Sequence, residues 1–139
     1  MTDFDAEEWL EVAEVCCDRI AGVNQEALLR TALNRAYYAA LLCIKRRLER
    51  IHGPGAVPQV RTHAAILWAV RSGGRPFRYI HKSLQALQAR REAADYELRS
   101  APLIWDRVHT QVRFSRDLIR RHIKALPDAE FRRLVLPRR

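Results

Sequence analysis

Apolar residues return every three or four positions along nearly the whole chain, which is the spacing of a helix face, and no stretch alternates long enough to make a strand. A first stripe, Trp9, Val12, Ala13, Cys16 and Ile20, predicts a helix over 3–21 that opens in an acidic turn, favourable to the helix dipole, and stops at Gly22. Asn24 is placed to cap a second, much longer helix. Its apolar face runs from Leu28 and Leu29 through Ala32, Ala36, Tyr37, Ala40, Leu41, Ile44 and Leu48 to the breaker His52-Gly53-Pro54-Gly55. Small residues on that face permit close packing.

A loop through Pro58 leads to a short helix near "RTHAAILWAV", which "SGGRP" ends. Pro76 suits the first turn of a helix that continues through Phe77, Ile80, Leu84, Leu87 and Ala94. "RSAP" breaks this helix, with Ser100 as the next cap and Pro102 in the first turn of a last long helix carrying Trp105, Val108, Val112, Leu118, Ile119 and Ile123 to the Leu126-Pro127 stop. The remainder has room for one helical turn before a basic tail, 127–139. The pattern predicts an all-α bundle of about five helices with short connections, in a single domain over 1–139.

Length and composition narrow the classes. At 139 residues the chain can bury a core without disulfides or a structural metal. Cys16, Cys17 and Cys43 are odd in number and lack metal-ligand spacing, so they read as reduced core thiols. Arginines interrupt every hydrophobic run before it nears the about 20 residues of a membrane span, and the acidic start is unlike a signal peptide. These features predict a soluble, cytoplasmic protein with no membrane partner. No P-loop, HExxH or GxSxG occurs, Gly73 and Gly74 follow no strand, and the five histidines are scattered, so neither a metal nor a cofactor is expected.

Charge is unevenly placed. Residues 1–18 hold seven acidic side chains and no Lys or Arg, so the +9 net charge becomes +16 over 19–139, with 25 basic against 9 acidic residues. That asymmetry favours a polyanionic partner, nucleic acid before a membrane surface, or else an arginine-rich surface serving solubility. Within the apolar second helix, Arg35 needs a partner to offset its burial. Asp95, flanked by Ala94 and Tyr96, is the carboxylate in similar helix-packing surroundings, and a bidentate Arg35–Asp95 pair is expected.

Taken together, "LNRAYYAALLCIKRRLE", a short helix opening at His63, "ARREAADYEL" and a final long helix resemble the HEPN superfamily, in the branch with RAYYA and ADY signatures. The resemblance covers roughly 24–125, with three separated elements in the right order. It implies an up-and-down helical bundle that usually dimerises, often works beside a minimal nucleotidyltransferase, and serves in toxin–antitoxin or antiviral defence through RNA or nucleotides. Many members are metal-independent ribonucleases with an arginine, four to six residues and a histidine where the last two core helices meet. Here that location reads Arg91, Glu92, Ala93, Ala94, Asp95, Tyr96, with no histidine to act as general base.

Arg47 with His52, Arg75 with His81, and Arg116 with His122 do have the spacing, but arginine is abundant enough to produce it by composition. Arg116 and His122 are the candidates for an alternative, metal-independent endoribonuclease site. His63 either caps its helix, satisfies a core hydrogen bond, or lines a nucleotide pocket with Arg91. Tyr37 and Tyr38 point about 100° apart, so one is expected in the core and the other at the surface. The last helix and tail present Arg113, Arg116, Arg120, Arg121, Lys124, Arg132, Arg133, Arg138 and Arg139, a surface suited to phosphates.

The leading expectation is an RNA- or nucleotide-binding component of a toxin–antitoxin or defence pair without its own nuclease site. A nuclease toxin and a non-catalytic scaffold for a partner enzyme are the alternatives. A homodimer is expected through the small and aromatic surface of the second helix, with Glu7, Glu8, Glu11 or Glu14 meeting arginines of the second copy.

Overall fold

A computed structural model describes residues 5–18, 22, 24–96 and 105–137, except the side chains of 94–96 and 105–106. The described residues form an all-α bundle: α1 (Ala6–Cys17), α2 (Gln25–His52), α3 (Thr62–Ser72), α4 (Arg78–Tyr96), α5 (Trp105–Asp117) and the short α6 (Asp128–Arg132). A 3₁₀ turn, Arg75–Phe77, leads into α4, and a π-helical segment, Leu118–Ile123, extends α5. Helix α2 is the axis of the bundle, touching α1, α3, α4, α5 and α6. Ala32, Ala36, Ala39 and Ala40 are fully buried on it, so neighbouring helices can approach its backbone closely. At one such approach the buried Ser115 hydroxyl of α5 donates to the Ala36 carbonyl at 2.6 Å. The small-residue surface expected to meet a second copy is therefore spent inside the chain.

Local chemistry sets most boundaries. Asn24 caps α2 by accepting from the Ala27 amide at 3.1 Å, and Asp5 does the same for α1 from Glu7 at 3.3 Å. Gly53 ends α2 with φ 107°, a conformation that costs an L side chain dearly. Gly73 is required for space, because a Cβ there would run into Phe77 and Leu134. Pro76 lies in the 3₁₀ turn that starts the fourth helix, as its fixed φ suits.

Helix α1 differs from its predicted stripe. It buries Ala6, Leu10, Ala13, Cys16 and Cys17, leaving Val12 38% exposed and Trp9 half-buried. The helix lies against both α2 and α5, and that two-sided packing centres the buried arc on Leu10 rather than Val12. Ile20, Ser100 and Pro102 lie outside the described residues.

The C-terminal end is tied to α2 by Arg47. Its guanidinium donates to Asp128 Oδ1 at 2.6 Å, to the Ile123 carbonyl at 3.2 Å and to the Leu126 carbonyl, and it lies 4.6 Å from the Phe131 ring centroid. Phe131 packs edge-on against Phe77, with centroids 5.1 Å apart. No helix of the described residues is long and apolar enough to cross a membrane.

Candidate functional site

One face of α2 carries Tyr38, Leu41, Leu42 and Lys45, which recur at helical spacing over two turns. Opposite them stand Trp9 of α1 and the chain entering α3, with Gln59, Arg61, Thr62 and His63. Between these walls lies a cavity of about 320 Å³. The entry to α3 is held by the Thr62 hydroxyl, which donates to the Pro58 carbonyl at 2.7 Å. Arg61 adopts φ 59°, the one positive value among described non-glycine residues, and no side chain caps the helix it begins. Among the described residues the lining contains lysine, arginine and histidine and no carboxylate. Lys45 has Glu49 at 3.6 Å, beyond hydrogen-bond reach and partly in solvent.

A fixed aromatic cluster supports this cavity. Tyr37 is fully buried and its hydroxyl lies 2.7 Å from His63 Nδ1, with the two rings nearly parallel at 16°. Burial pushes the Tyr37 phenol far above its ordinary value, so it stays protonated and must place that proton. Nδ1 is the acceptor it meets, which leaves the proton of a neutral His63 on Nε2. Burial, aided by the Arg91 guanidinium and opposed by Glu92, holds His63 below the usual imidazole range. Tyr38 is half-buried, edge-on to His63 at 5.3 Å and tilted against Trp9 at 6.2 Å.

Two arginines brace the cluster. Arg91 places its guanidinium carbon 5.3 Å from the Tyr37 centroid and 5.5 Å from that of Tyr38. Arg35 lies over Trp9 at 4.1 Å. The expected Arg35–Asp95 pair falls on a side chain outside the described residues; what the structure gives Arg35 is an indole face. His63 and Arg91 do meet around the same tyrosines, although Arg91 is not part of the cavity wall. Of the two tyrosines, Tyr37 is the core residue and Tyr38 the one that reaches the cavity.

The basic face of the last helix is partly occupied from within. Arg120 and Lys124 hold the two oxygens of Glu7 at 3.1 and 3.0 Å, and Arg116 lies 3.7 Å from Glu14. The hydrogen bond from Arg120, joined by Lys124 and opposed by burial, keeps the Glu7 carboxyl below its ordinary value. Glu7 and Glu14 thus meet cations of their own chain, where a second copy's arginines were expected, because the rotation of α1 sets them over α5 and the π segment. Arg113 and Arg121 remain exposed, with no ion pair among the described residues. His122 packs on Tyr79 of α4 at 4.3 Å, whereas Arg116 turns to α1, so the two members of the alternative nuclease pair have different neighbours. Arg132 is exposed, and Arg133 pairs with Glu130; Arg138 and Arg139 lie outside the described residues.

Trp9, Lys45 and Arg61 were not legible as site residues. Trp9 reads as core, Arg61 as loop, and Lys45 as one more exposed helix cation; the available signal was that Tyr38 and Lys45, seven apart, share a face of the second helix. Cys16, Cys17 and Cys43 are thiols rather than disulfide partners, and burial pushes Cys17 and Cys43 up to about 11, which suppresses the reactive thiolate. Among the described residues no three His, Cys, Asp or Glu side chains gather as a metal site. No protein-family model, curated protein or solved structure matches the chain.

Proposed function

We propose that the chain is a HEPN-like domain that binds RNA or a nucleotide without cutting it, as one component of a toxin–antitoxin or defence pair that works with a minimal nucleotidyltransferase. The observation that carries this reading is the cavity where Trp9, Tyr38, His63, Lys45 and Arg61 converge. Aromatic faces stack on any base, and the cations, with no carboxylate among the described lining residues, attract phosphate. Cleavage of RNA needs a general base at the 2′-hydroxyl. His63 has one ring nitrogen committed to Tyr37, and the segment 91–96 supplies no imidazole. Homodimerisation remains part of the proposal, and the apolar surface that supports it is the depression lined by Val60, Trp68 and Pro137 rather than α2.

Fluorescence anisotropy with a labelled single-stranded RNA over a salt series tests the reading. Affinity should fall steeply as salt rises, and the RNA should remain intact with or without chelator. Turnover abolished by changing Arg116 or His122 would establish the nuclease instead. Salt-insensitive absence of binding, with co-purification of a partner enzyme, would leave the scaffold in its place.

A further inference from the structure

The segment "RSGGRPFRYIH", Arg71 to His81, turns the chain from α3 into α4, and the turn gathers positive charge. Arg71 lies in the last turn of α3, while Arg78 and His81 are one turn apart on a single face of α4. With Val70, Gly74 and Phe77 they line a cavity of about 200 Å³. Val70 and Phe77 are fully buried, His81 is half-buried, and Arg71 and Arg78 are exposed. Arg75, whose spacing from His81 the sequence offers as a pair, is exposed on the 3₁₀ turn and is not part of this wall.

Among the described residues no carboxylate lines the cavity or pairs with the side chains of Arg71, Arg78 or His81. Elsewhere on this arginine-rich surface such partners are found: Arg47 and Arg50 meet Asp128, and Arg120 meets Glu7. Burial first, and the Arg71 guanidinium second, hold His81 below the usual imidazole range, so at neutral pH it is an uncharged ring with one N–H to donate. Most backbone donors of the turn are already spent. Pro76 has no N–H, and the amides of Gly73, Gly74, Phe77 and Arg78 bond to the carbonyls of Val70, Arg71, Gly74 and Arg75. A ligand here is therefore held by side chains.

We infer that this cavity is a phosphate site, in which the Arg71 and Arg78 guanidiniums and the His81 ring N–H hold the oxygens of a phosphomonoester. Two guanidinium charges match the about −1.5 to −2 of a phosphomonoester at pH 7, whereas a carboxylate supplies half as much. The volume is below the roughly 300–1,000 Å³ of sites that enclose whole small molecules, so the cavity takes the phosphate end of a ligand and leaves the rest outside. This site is independent of the one at Tyr38 and His63, since His63 and Arg71 are about 12 Å apart along α3. One chemistry has two sources here, free phosphate or the terminal phosphate of an RNA strand.

Titration of the full chain with inorganic phosphate, at an ionic strength held constant with chloride, tests the site by calorimetry and by the His81 ring signals in ¹H–¹⁵N spectra, assigned with His81→Gln. Phosphate should bind saturably, and the His81 signals should move along the same isotherm. The Arg71→Gln/Arg78→Gln double variant should lose affinity tenfold or more, and Arg75→Gln less than twofold. The two replaced side chains are exposed and make no ion pair among the described residues, so the variant is expected to fold, which circular dichroism checks. Should it not fold, the single variants serve, each with an expected loss of at least threefold. One RNA sequence carrying a 5′-phosphate, a 3′-phosphate or neither then separates the sources. A tenfold preference for a phosphorylated end, lost in the double variant, assigns the site to strand ends; equal binding of all three RNAs, with His81 still responding to phosphate, assigns it to free phosphate. His81 signals that do not respond to phosphate would overturn the inference. Equal losses in Arg75→Gln and the double variant would also overturn it, because they would show a diffuse basic surface instead of a site. Neither result bears on the first cavity, whose lining these variants leave intact.

Discussion

Replacing Arg47 by methionine keeps the aliphatic stem and removes the group that fastens the C-terminal segment to α2. The side chain is only 15% exposed, so water replaces little of what is lost. The carbonyls of Ile123 and Leu126 each lose a charged donor, about 1 kcal/mol apiece at the low end for a partly buried acceptor. The cation over Phe131 adds about 0.5–1 kcal/mol. Asp128 is well solvated and adds no figure. The expected loss is therefore about 2–3 kcal/mol by urea unfolding, or a fall in Tm of roughly 6–15 °C for a chain of this size. Arg50 makes the contrasting control. It also donates to Asp128, at 2.9 Å, but is 61% exposed, so Arg50→Met should change stability by no more than about 0.5 kcal/mol. A further signature is in the pH dependence. Hydrogen bonds from Arg47 first, then Arg50, hold the Asp128 carboxyl below its ordinary range. Its contribution is thus present above the free-aspartate pKa and lost as pH falls through the folded value, so the gap between wild type and Arg47→Met should narrow in acid. A loss under about 1 kcal/mol, or one equal to that of Arg50→Met, would refute the assignment of Arg47 as the fastening group.

Ser115→Ala should cost about 1 kcal/mol in urea unfolding by removing a buried hydroxyl that bridges α5 to the Ala36 carbonyl; no loss would mean the contact contributes nothing net. His63 is held below the usual imidazole range, so the unfolded chain takes up a proton first as pH drops; stability should decline from about pH 6.5 downward to the folded value, and His63→Gln should flatten that slope. In long-range ¹H–¹⁵N spectra His63 should show the Nε2–H tautomer in wild type and a mixture in Tyr37→Phe; identical spectra would contradict the hydrogen-bond direction. Glu7→Gln releases the Arg120 and Lys124 cations. If the last helix also holds RNA backbone, the salt dependence of binding should steepen by up to about two contacts' worth, and an unchanged slope would confine binding to the cavity.

How far the sequence could be read depended on whether a property is local. Asn24 as a cap, Pro76 in its turn, the stop at Gly53 and the division of labour between Tyr37 and Tyr38 all follow from a few neighbouring residues, and these expectations match the structure. The rotation of α1 does not. Its buried arc depends on α5, which is distant in sequence, and a shift from Val12 to Leu10 decides whether Glu7 and Glu14 face outward or lie over the last helix. The partner of Arg35 was sought among carboxylates because pairing of opposite charge is the usual remedy for burial. The Asp95 side chain lies outside the described residues; the contact that the structure does describe for Arg35 is with Trp9, which no spacing rule encodes. The cavity was similarly hidden, since it is assembled from α1, α2 and a loop whose approach depends on the whole packing.

The wide turn at Leu118–Ile123 fixes a phase. Lys124 bonds back to Ile119, five residues earlier, at 2.9 Å, so this part of the helix carries one residue more than an α-helical turn. The surplus residue is absorbed inside Leu118–Ile123, so the six residues here turn the chain about as far as five would at 100° each. Deleting one residue from this segment should therefore restore ordinary winding with Lys124 still at Glu7 and the Leu126 carbonyl and Asp128 still at Arg47, whereas the same deletion in the regular part of α5 would swing everything downstream by about 100°. The π segment is thus a slack link in the last helix, the one stretch of it where the chain can lose a residue without turning both of these attachments away from their partners.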